Sequence, residues 1–363
     1  MKSVFFLFSH PAPYKVNLFN GLAKSFDLTV FFERTLGKYA QQQYIPTSQW
    51  QFRYRMLKGI KLGKENHLSF EVIQHLKHHR YDSIVMNGYA SLTEMVTILF
   101  LQRMKIPYYL YVNGGVIRQD PWWRFILKKR LISKAKGYFS PSPLLDPYLV
   151  HYGAKREAIF HYPYSTIFND EILPTPLTKQ EKLSLRKTIG LPLEGDILLA
   201  VGQFIPRKNF FPLLKAWGKM PKDRILVLIG DGKEKRRYER WMQTHHLTHV
   251  ILKPFQPKNL LLSMLRASDG FILLSKEDIY GHVINEALSQ GIPVLTSDKV
   301  VSGQVLIKPE KNGLILPLLA LDHLPKAVHT LLQIKNPEAS LQIARENTIE
   351  QMVKAHLEFF QHG

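Results

Sequence analysis

Residues 269–294 read DGFILLSKEDIYGHVINEALSQGIPV, and their pattern decides the fold. The apolar run from Phe271 to Leu274 leads into a polar turn that ends at Gly281. His282 to Gln290 has helical spacing, and after Gly291 a second apolar run starts at Pro293. Strand, loop, helix and strand in that order make the βαβ unit of a parallel sheet. Ligands of open parallel sheets bind beyond the carboxyl ends of the strands, where this loop must lie. Glu277 and Asp278 stand before Gly281 and Glu286 after it. Backbone N–H groups around Gly281 and His282 suit an anion such as a phosphate. Amides that seek phosphate beside carboxylates that seek hydroxyls suit a sugar nucleotide.

The same alternation runs outward in both directions. Ile197 to Gly202 reads as a strand, followed by GQFIPRKNFFPLLKAW, in which Arg207 and Lys208 precede a helix. Further strands are expected at Arg224 to Gly230 and Val250 to Phe255, and helices at Tyr238 to His246, Leu260 to Ala267, His323 to Leu332 and Ala339 to Phe360. GDGKEKR after the 224–230 strand lacks the spacing of a phosphate-binding P-loop. Earlier in the chain, strands at Met1 to Phe8 and Leu28 to Phe32 flank a helix from Leu18 to Lys24, and the first loop lacks G-x-G-x-x-G. Residues 35–66 read either as a functional loop or, from Trp50 to Met56, as an edge strand. Helices at Leu68 to His79 and Thr93 to Gln102 alternate with strands at Ser83 to Met86 and Tyr108 to Val112. The last of these runs into Asn113-Gly114-Gly115, where glycines allow a ligand close to the backbone. Pro163, Pro174, Pro176 and Pro192 mark the connection between two α/β domains, 1–170 and 171–340, with a final helix over 340–363.

The 269–294 stretch resembles the acidic motif of retaining glycosyltransferases of the GT-B architecture, family four, in which two Glu separated by seven residues flank a Phe-Gly or Tyr-Gly pair. Here Asp278 and Glu286 have that spacing around Tyr280-Gly281, with Glu277 as an alternative first acid. The resemblance is specific from Ile197 to Pro317 and includes Lys208, six residues after Gly202, where the family places its diphosphate lysine. It implies two Rossmann-like domains facing across a cleft, the acceptor on the first and the nucleotide sugar on the second, with the C-terminal helix crossing back to the first. It further implies retention of anomeric configuration, a UDP-sugar as the most plausible donor, and neither a metal nor another cofactor. Glu286 is then expected on the ribose, Asp278 or Glu277 on the donor sugar, and Arg207 and Lys208 on the departing diphosphate. Arg207 would supply the guanidinium that the family often carries at Gln203. Gly202, Tyr280, Gly281, His282, Lys253 and Phe255 complete the expected donor side. His10, Tyr14, Asn113 and Gly114 form the expected acceptor side; His10 reads equally well as a turn cap, and Asn113 has no base to offer. Asp278 in place of Glu, with Gln203, also fits a catalytically idle GT-B subunit that binds glycan or supports a partner enzyme.

Composition narrows the setting. The 363 residues hold no cysteine, which excludes disulfides and thiolate metal sites and fits a cytoplasmic protein. Among the histidines, His245, His246 and His249 cluster without an acidic partner and read as surface residues. No apolar run reaches membrane-spanning length, and nothing resembles a signal peptide. The net charge is +20, of which +13 falls on residues 1–170. Such an excess attracts polyanions, but no nucleic-acid-binding signature accompanies it. Trp122 to Lys136, WWRFILKKRLISKAK, sets Trp123, Ile126, Leu127 and Leu131 on one stripe among six basic residues. This is either a crossover helix packed on the sheet or a helix that meets anionic lipid, peripheral on the inner membrane face, and the two readings are compatible.

Overall fold

The computed structural model describes residues 1–35, 45–62 and 66–362. The chain divides into two compact units, Met1–Tyr164 with Ile349–Gly363, and Ser165–Thr348. The first runs β1 (Ser3–Phe8), α1 (Pro13–Ala23), β2 (Asp27–Phe32), β3 (Arg53–Met56), β4 (Ile60–Leu62), β5 (Asn66–Leu68), α2 (Glu71–His78), β6 (Ser83–Met86), α3 (Leu92–Arg103), β7 (Tyr109–Tyr111), α4 (Trp122–Ile132), β8 (Gly137–Ser140), α5 (Asp146–His151) and β9 (Ile159–His161). Seven strands form a parallel sheet in the order β3-β2-β1-β6-β7-β8-β9, and β4 with β5 makes a separate hairpin. Phe5, Phe6 and Leu7 are successive and all buried, as a parallel sheet covered on both faces requires. The alternation around Trp50 resolves as the edge strand β3, parallel to β2. Of the irregular stretch around it, residues 36–44 and 63–65 lie outside the described residues. Helix α1 begins at Pro13, five residues before the expected Leu18, because proline at the first helical position brings the right φ and lacks only an N–H that the helix would leave unused.

The second unit runs α6 (Lys179–Ile189), β10 (Asp196–Val201), α7 (Phe210–Trp217), β11 (Arg224–Ile229), α8 (Lys235–Thr244), β12 (Val250–Lys253), α9 (Lys258–Ala267), β13 (Gly270–Leu273), α10 (Val283–Leu288), β14 (Val294–Ser297), α11 (Val301–Leu306), β15 (Gly313–Leu316), α12 (Leu324–Gln333) and α13 (Pro337–Glu346). Its six strands are parallel in the order β12-β11-β10-β13-β14-β15. Helix α10 is amphipathic and short: Ile284, Ala287 and Leu288 face the core, the isoleucine alone contributing about 2–3 kcal/mol by burial. The strand order reverses between β1 and β6 in the first sheet and between β10 and β13 in the second. Crevices for ligands open at the carboxyl ends of such strands.

The helix expected from Ala339 to Phe360 is two helices. It breaks at Asn347, whose carbonyl accepts a 2.7 Å hydrogen bond from Asn285 Nδ2, and α14 (Ile349–His362) then joins the first unit. There it lies close against α1: a side chain at Gly21 would meet Val353 at 2.5 Å. Lys2 Nζ donates to the Phe360 carbonyl at 3.1 Å, a cation on the last turn of the helix. The stripe on α4 divides between the two readings open for it. Leu131 is buried, but Ile126 is 55 % and Trp123 51 % exposed, so the N-terminal half of the stripe does not pack on the sheet.

Candidate active site

In the second unit the site grows from β10. That strand ends at Gly202, where a side chain would lie 3.2 Å from Lys208 Cε, so the glycine makes room for the lysine. A single 3₁₀ turn over Pro206–Lys208 and a left-handed Asn209 then start α7. The turn is docked on the loop after β13. Lys276 N donates to the Arg207 carbonyl at 2.9 Å, and Arg207 Nη1 donates to the Glu277 carbonyl at 2.8 Å. Lys208 Nζ pairs with Asp278, and Arg207 Nη1 stands 3.7 Å from the same carboxylate. The side chains of Lys208 and Asp278 are 12 % and 11 % exposed, so water screens the pair weakly. Two cations and one acid thus meet at the switch point. Glu277 contributes its carbonyl and keeps its side chain in solvent, which leaves Asp278 as the acid beside the cations.

Past Asp278 the loop is pinned to α11. Gly281 has φ +91°, and a side chain there would meet Val300 at 2.8 Å. Ser302 holds the turn, its N donating to the Tyr280 carbonyl and its Oγ to the Gly281 carbonyl, both at 2.8 Å. Tyr280 is buried, its ring 5.1 Å from that of His282. Glu286 stands in the first turn of α10. Its Oε1 accepts from the Thr166 hydroxyl at 2.9 Å. Burial raises its carboxyl above the usual range, while Thr166 and Lys258 pull it back down. Lys258 Nζ is itself held at 2.6 Å by both the Thr166 carbonyl and Glu171. Nothing in the spacing pointed to Thr166, Lys258 or Glu171, because they come from a proline-rich connection and from a different helix. Gln203 is exposed, Phe255 is 39 % exposed, and Lys253 Nζ reaches the Gly190 carbonyl at 3.5 Å. Among the described residues these three share no side-chain bond with the Arg207–Lys208–Asp278 cluster.

The expected acceptor-side residues all belong to the first unit. His10 follows β1, its Nδ1 2.9 Å from Ser9 Oγ; burial, then Arg34 and Lys15, lowers its pKa. Tyr14 opens α1 and accepts from the Tyr164 hydroxyl at 3.0 Å. Asn113 and Gly114 follow β7, and Asn113 Oδ1 accepts from the Tyr162 hydroxyl at 2.8 Å. Tyr14 and Asn113 are therefore linked through Tyr164 and Tyr162, whose rings stand 5.8 Å apart. Gly114 makes no such link. Of the three histidines near the end of α8, His249 is buried, contrary to expectation, with Nε2 3.2 Å from the Trp217 carbonyl.

Residues 181–351 match the family model for glycosyl transferases group 1. Over that span, somewhat under half of its length, the chain is similar to the glycosyl transferases group 1 family. Similar proteins include the lipopolysaccharide core biosynthesis glycosyltransferase LpsE of Rhizobium meliloti, 27% identical over 134 residues, or 37% of this chain and 38% of that protein. A GDP-mannose-dependent alpha-mannosyltransferase of Mycobacterium tuberculosis is 30% identical over 142 residues, 38% of this chain and 34% of that protein. The chain spans about half or less of the length of the curated relatives it matches. Among solved structures, Anabaena Alr3699/HepE in complex with UDP superimposes with a TM-score of 0.80 at 15% identity, covering 99% of this chain and 100% of that one. The chain thus has the GT-B fold, built from two parallel, Rossmann-like sheets.

Proposed function

We propose that the chain is a glycosyltransferase that moves a hexose or hexosamine, with retention at the anomeric carbon, from a nucleoside-diphosphate sugar to a glycan, lipid-linked or polymeric acceptor. The observation that carries the reading is the convergence of Lys208, Arg207 and Asp278 at the β10–β13 switch point. In the proposed reaction the bond from the anomeric carbon to the diphosphate oxygen breaks and a bond to the acceptor oxygen forms. The acceptor proton passes to the departing diphosphate. Lys208 and Arg207 carry the charge that develops on that leaving group, a fixed electrostatic role that needs no metal. Asp278 holds hydroxyls of the donor sugar, and Glu286, oriented by Thr166, accepts from the ribose hydroxyls. The UDP held by HepE supports a uridine nucleotide as donor, and the LpsE likeness supports a role in cell-surface polysaccharide synthesis.

The acceptor is proposed to be met at the cytoplasmic membrane face. Trp122 at 76 % exposure, with Trp123 and Ile126, gives α4 an apolar surface beside the exposed cations Arg124, Lys129 and Arg130. An open cavity of about 670 Å³ lined by Ile117, Trp122, Phe125, Ile126 and His151 continues that surface. No helix among the described residues is long and apolar enough to cross a membrane.

The test is release of nucleoside diphosphate from UDP-sugars with acceptor present. Lys208→Ala is expected to cut the transfer rate by about 10²–10³, in line with loss of one preorganised charge. Glu286→Ala is expected to weaken donor binding while the fold persists. Full turnover in either variant removes that residue's role. A wild-type chain that binds UDP without any transfer supports the second reading, an idle GT-B subunit.

A further inference from the structure

Lys15 is 2 % exposed, and its ammonium nitrogen has no hydrogen-bond partner among the described residues. It lies among ring faces instead. Its nitrogen stands 4.0 Å from the centroid of Tyr111, 4.6 Å from Tyr164, 5.2 Å from Phe8, 5.5 Å from Tyr14 and 5.8 Å from Tyr162. Burial holds the amine well below the usual lysine range, since the charged form loses its water. His356, on α14, is also fully buried and stacks on Tyr111 at 5.7 Å; burial first, and Lys15 after it, push it down to about 3. A methionine would fill the same space without stripping an amine of water, so packing alone does not account for a lysine here.

Two of the rings carry hydroxyls that lead out of the box. Tyr164 donates to Tyr14, and Tyr162 donates to Asn113 Oδ1. With its oxygen turned toward Tyr162, Asn113 turns Nδ2 and its two hydrogens the other way, and that edge suits a hydrogen-bond acceptor. A free amide could turn either edge outward, so this commitment is a choice of specificity. The ring that imposes it is one wall of the box, its centroid 5.8 Å from the buried amine.

We propose that Lys15 is a positioning residue for the acceptor side of the first unit. The amine among the rings fixes Tyr162, and Tyr162 fixes Asn113 as a donor to an oxygen of the acceptor hydroxyl. The substrate named in that statement rests on the glycosyl-transfer reading above; the chain from Lys15 to Tyr162 to Asn113 does not.

The test uses the full chain as wild type, Lys15→Met, Tyr162→Phe and the double variant, with the side-chain amide resonances of Asn113 followed by NMR and assigned through Asn113→Ala. Lys15→Met is expected to melt no lower than wild type, yet to shift the Asn113 amide pair as Tyr162→Phe does. The KM for acceptor should rise about tenfold in each single variant and no further in the double, with the KM for donor unchanged. Lys15→Arg, which returns N–H groups to the space among the rings, should recover part of that loss. An unmoved Asn113 signal in Lys15→Met overturns the proposal, as does a lower melting temperature with additive losses, the mark of a simple structural clamp. Moved Asn113 signals in a chain whose wild type transfers no sugar support the positioning role and instead defeat the glycosyl-transfer reading.

Discussion

Asp278 is one acid facing two cations, and that imbalance sets what a substitution at the site does. Its carboxylate already occupies Lys208 and lies 3.7 Å from Arg207, so a diphosphate held there as proposed would compete with it. Asp278→Asn should therefore bind UDP more tightly, by a few-fold to about tenfold, since the cations lose an internal counter-charge. It should also transfer more slowly and melt lower without nucleotide, because Lys208 is left weakly paired in a site with little water. Calorimetric titration with UDP alongside melting curves checks this; weaker UDP binding in the variant would contradict it. Thr166 offers a second residue-scale expectation. Thr166→Val removes the hydroxyl that orients Glu286 and lowers its pKa, so nucleotide binding should weaken at acid pH before neutral pH. Equal weakening from pH 5 to pH 8 would mean that the hydroxyl acts only by packing. At this scale Arg207, Lys208 and Asp278 were legible from spacing and family likeness. Thr166, Lys258 and Lys15 were not, because a single threonine or lysine in a sequence carries no sign of what it will face.

Helix α3 begins with a capping box: Ser91 and Glu94 bond each other's backbone N–H groups, and Glu94 also accepts from Ala90 N at 2.7 Å. The strand β2 then brings Glu33 to the same place, where its carboxylate accepts from Ser91 Oγ at 2.7 Å. Both carboxyls are buried, and both pKa values are raised, chiefly by loss of water and, for Glu94, by the neighbouring charge of Glu33. The folded chain thus keeps protons that the unfolded chain gives up above the ordinary carboxylate range. Stability contributed by the pair is complete below that range and is lost as pH rises toward and through the raised values. Glu94→Gln keeps the cap and removes the charge, so it should stabilise by about 1–2 kcal/mol at pH 8 and leave pH 5 nearly unchanged. Melting curves at the two pH values decide it: a variant less stable at pH 8 would show that the Glu94 charge is an asset. The pairing of the two acids carries no local sign, since the end of β2 and the start of α3 become neighbours only in the folded chain.

Across the whole molecule the charge excess lies on the half that carries α4. Exposed Trp122, Trp123 and Ile126 beside Arg124, Lys129 and Arg130 predict binding to vesicles rich in anionic lipid, lost at high salt. At about 1 kcal/mol per basic residue near the surface, Arg124→Ala with Lys129→Ala should lower partitioning by about thirtyfold. Co-sedimentation with neutral and anionic vesicles measures it, and equal binding to both would remove the lipid surface from the account. Lys128 is a poorer target, because Asp120 already holds it at 2.7 Å.

Taken alone, the order of residues determined that the chain is α/β with parallel sheets, that the loop at 275–282 follows a central strand, and that a basic pair opens the helix after Gly202. Those features follow from local periodicity, from glycines where the backbone must approach closely, and from chemistry written within a few positions. Tertiary structure alone decided that Asp278 rather than Glu277 meets Lys208, and that the last helical stretch breaks at Asn347 so that α14 packs on α1. It likewise decided that Lys15 is stripped of water among five rings. Each of these depends on which distant segments become neighbours, and burial and electrostatic pairing are properties of that neighbourhood rather than of the residue.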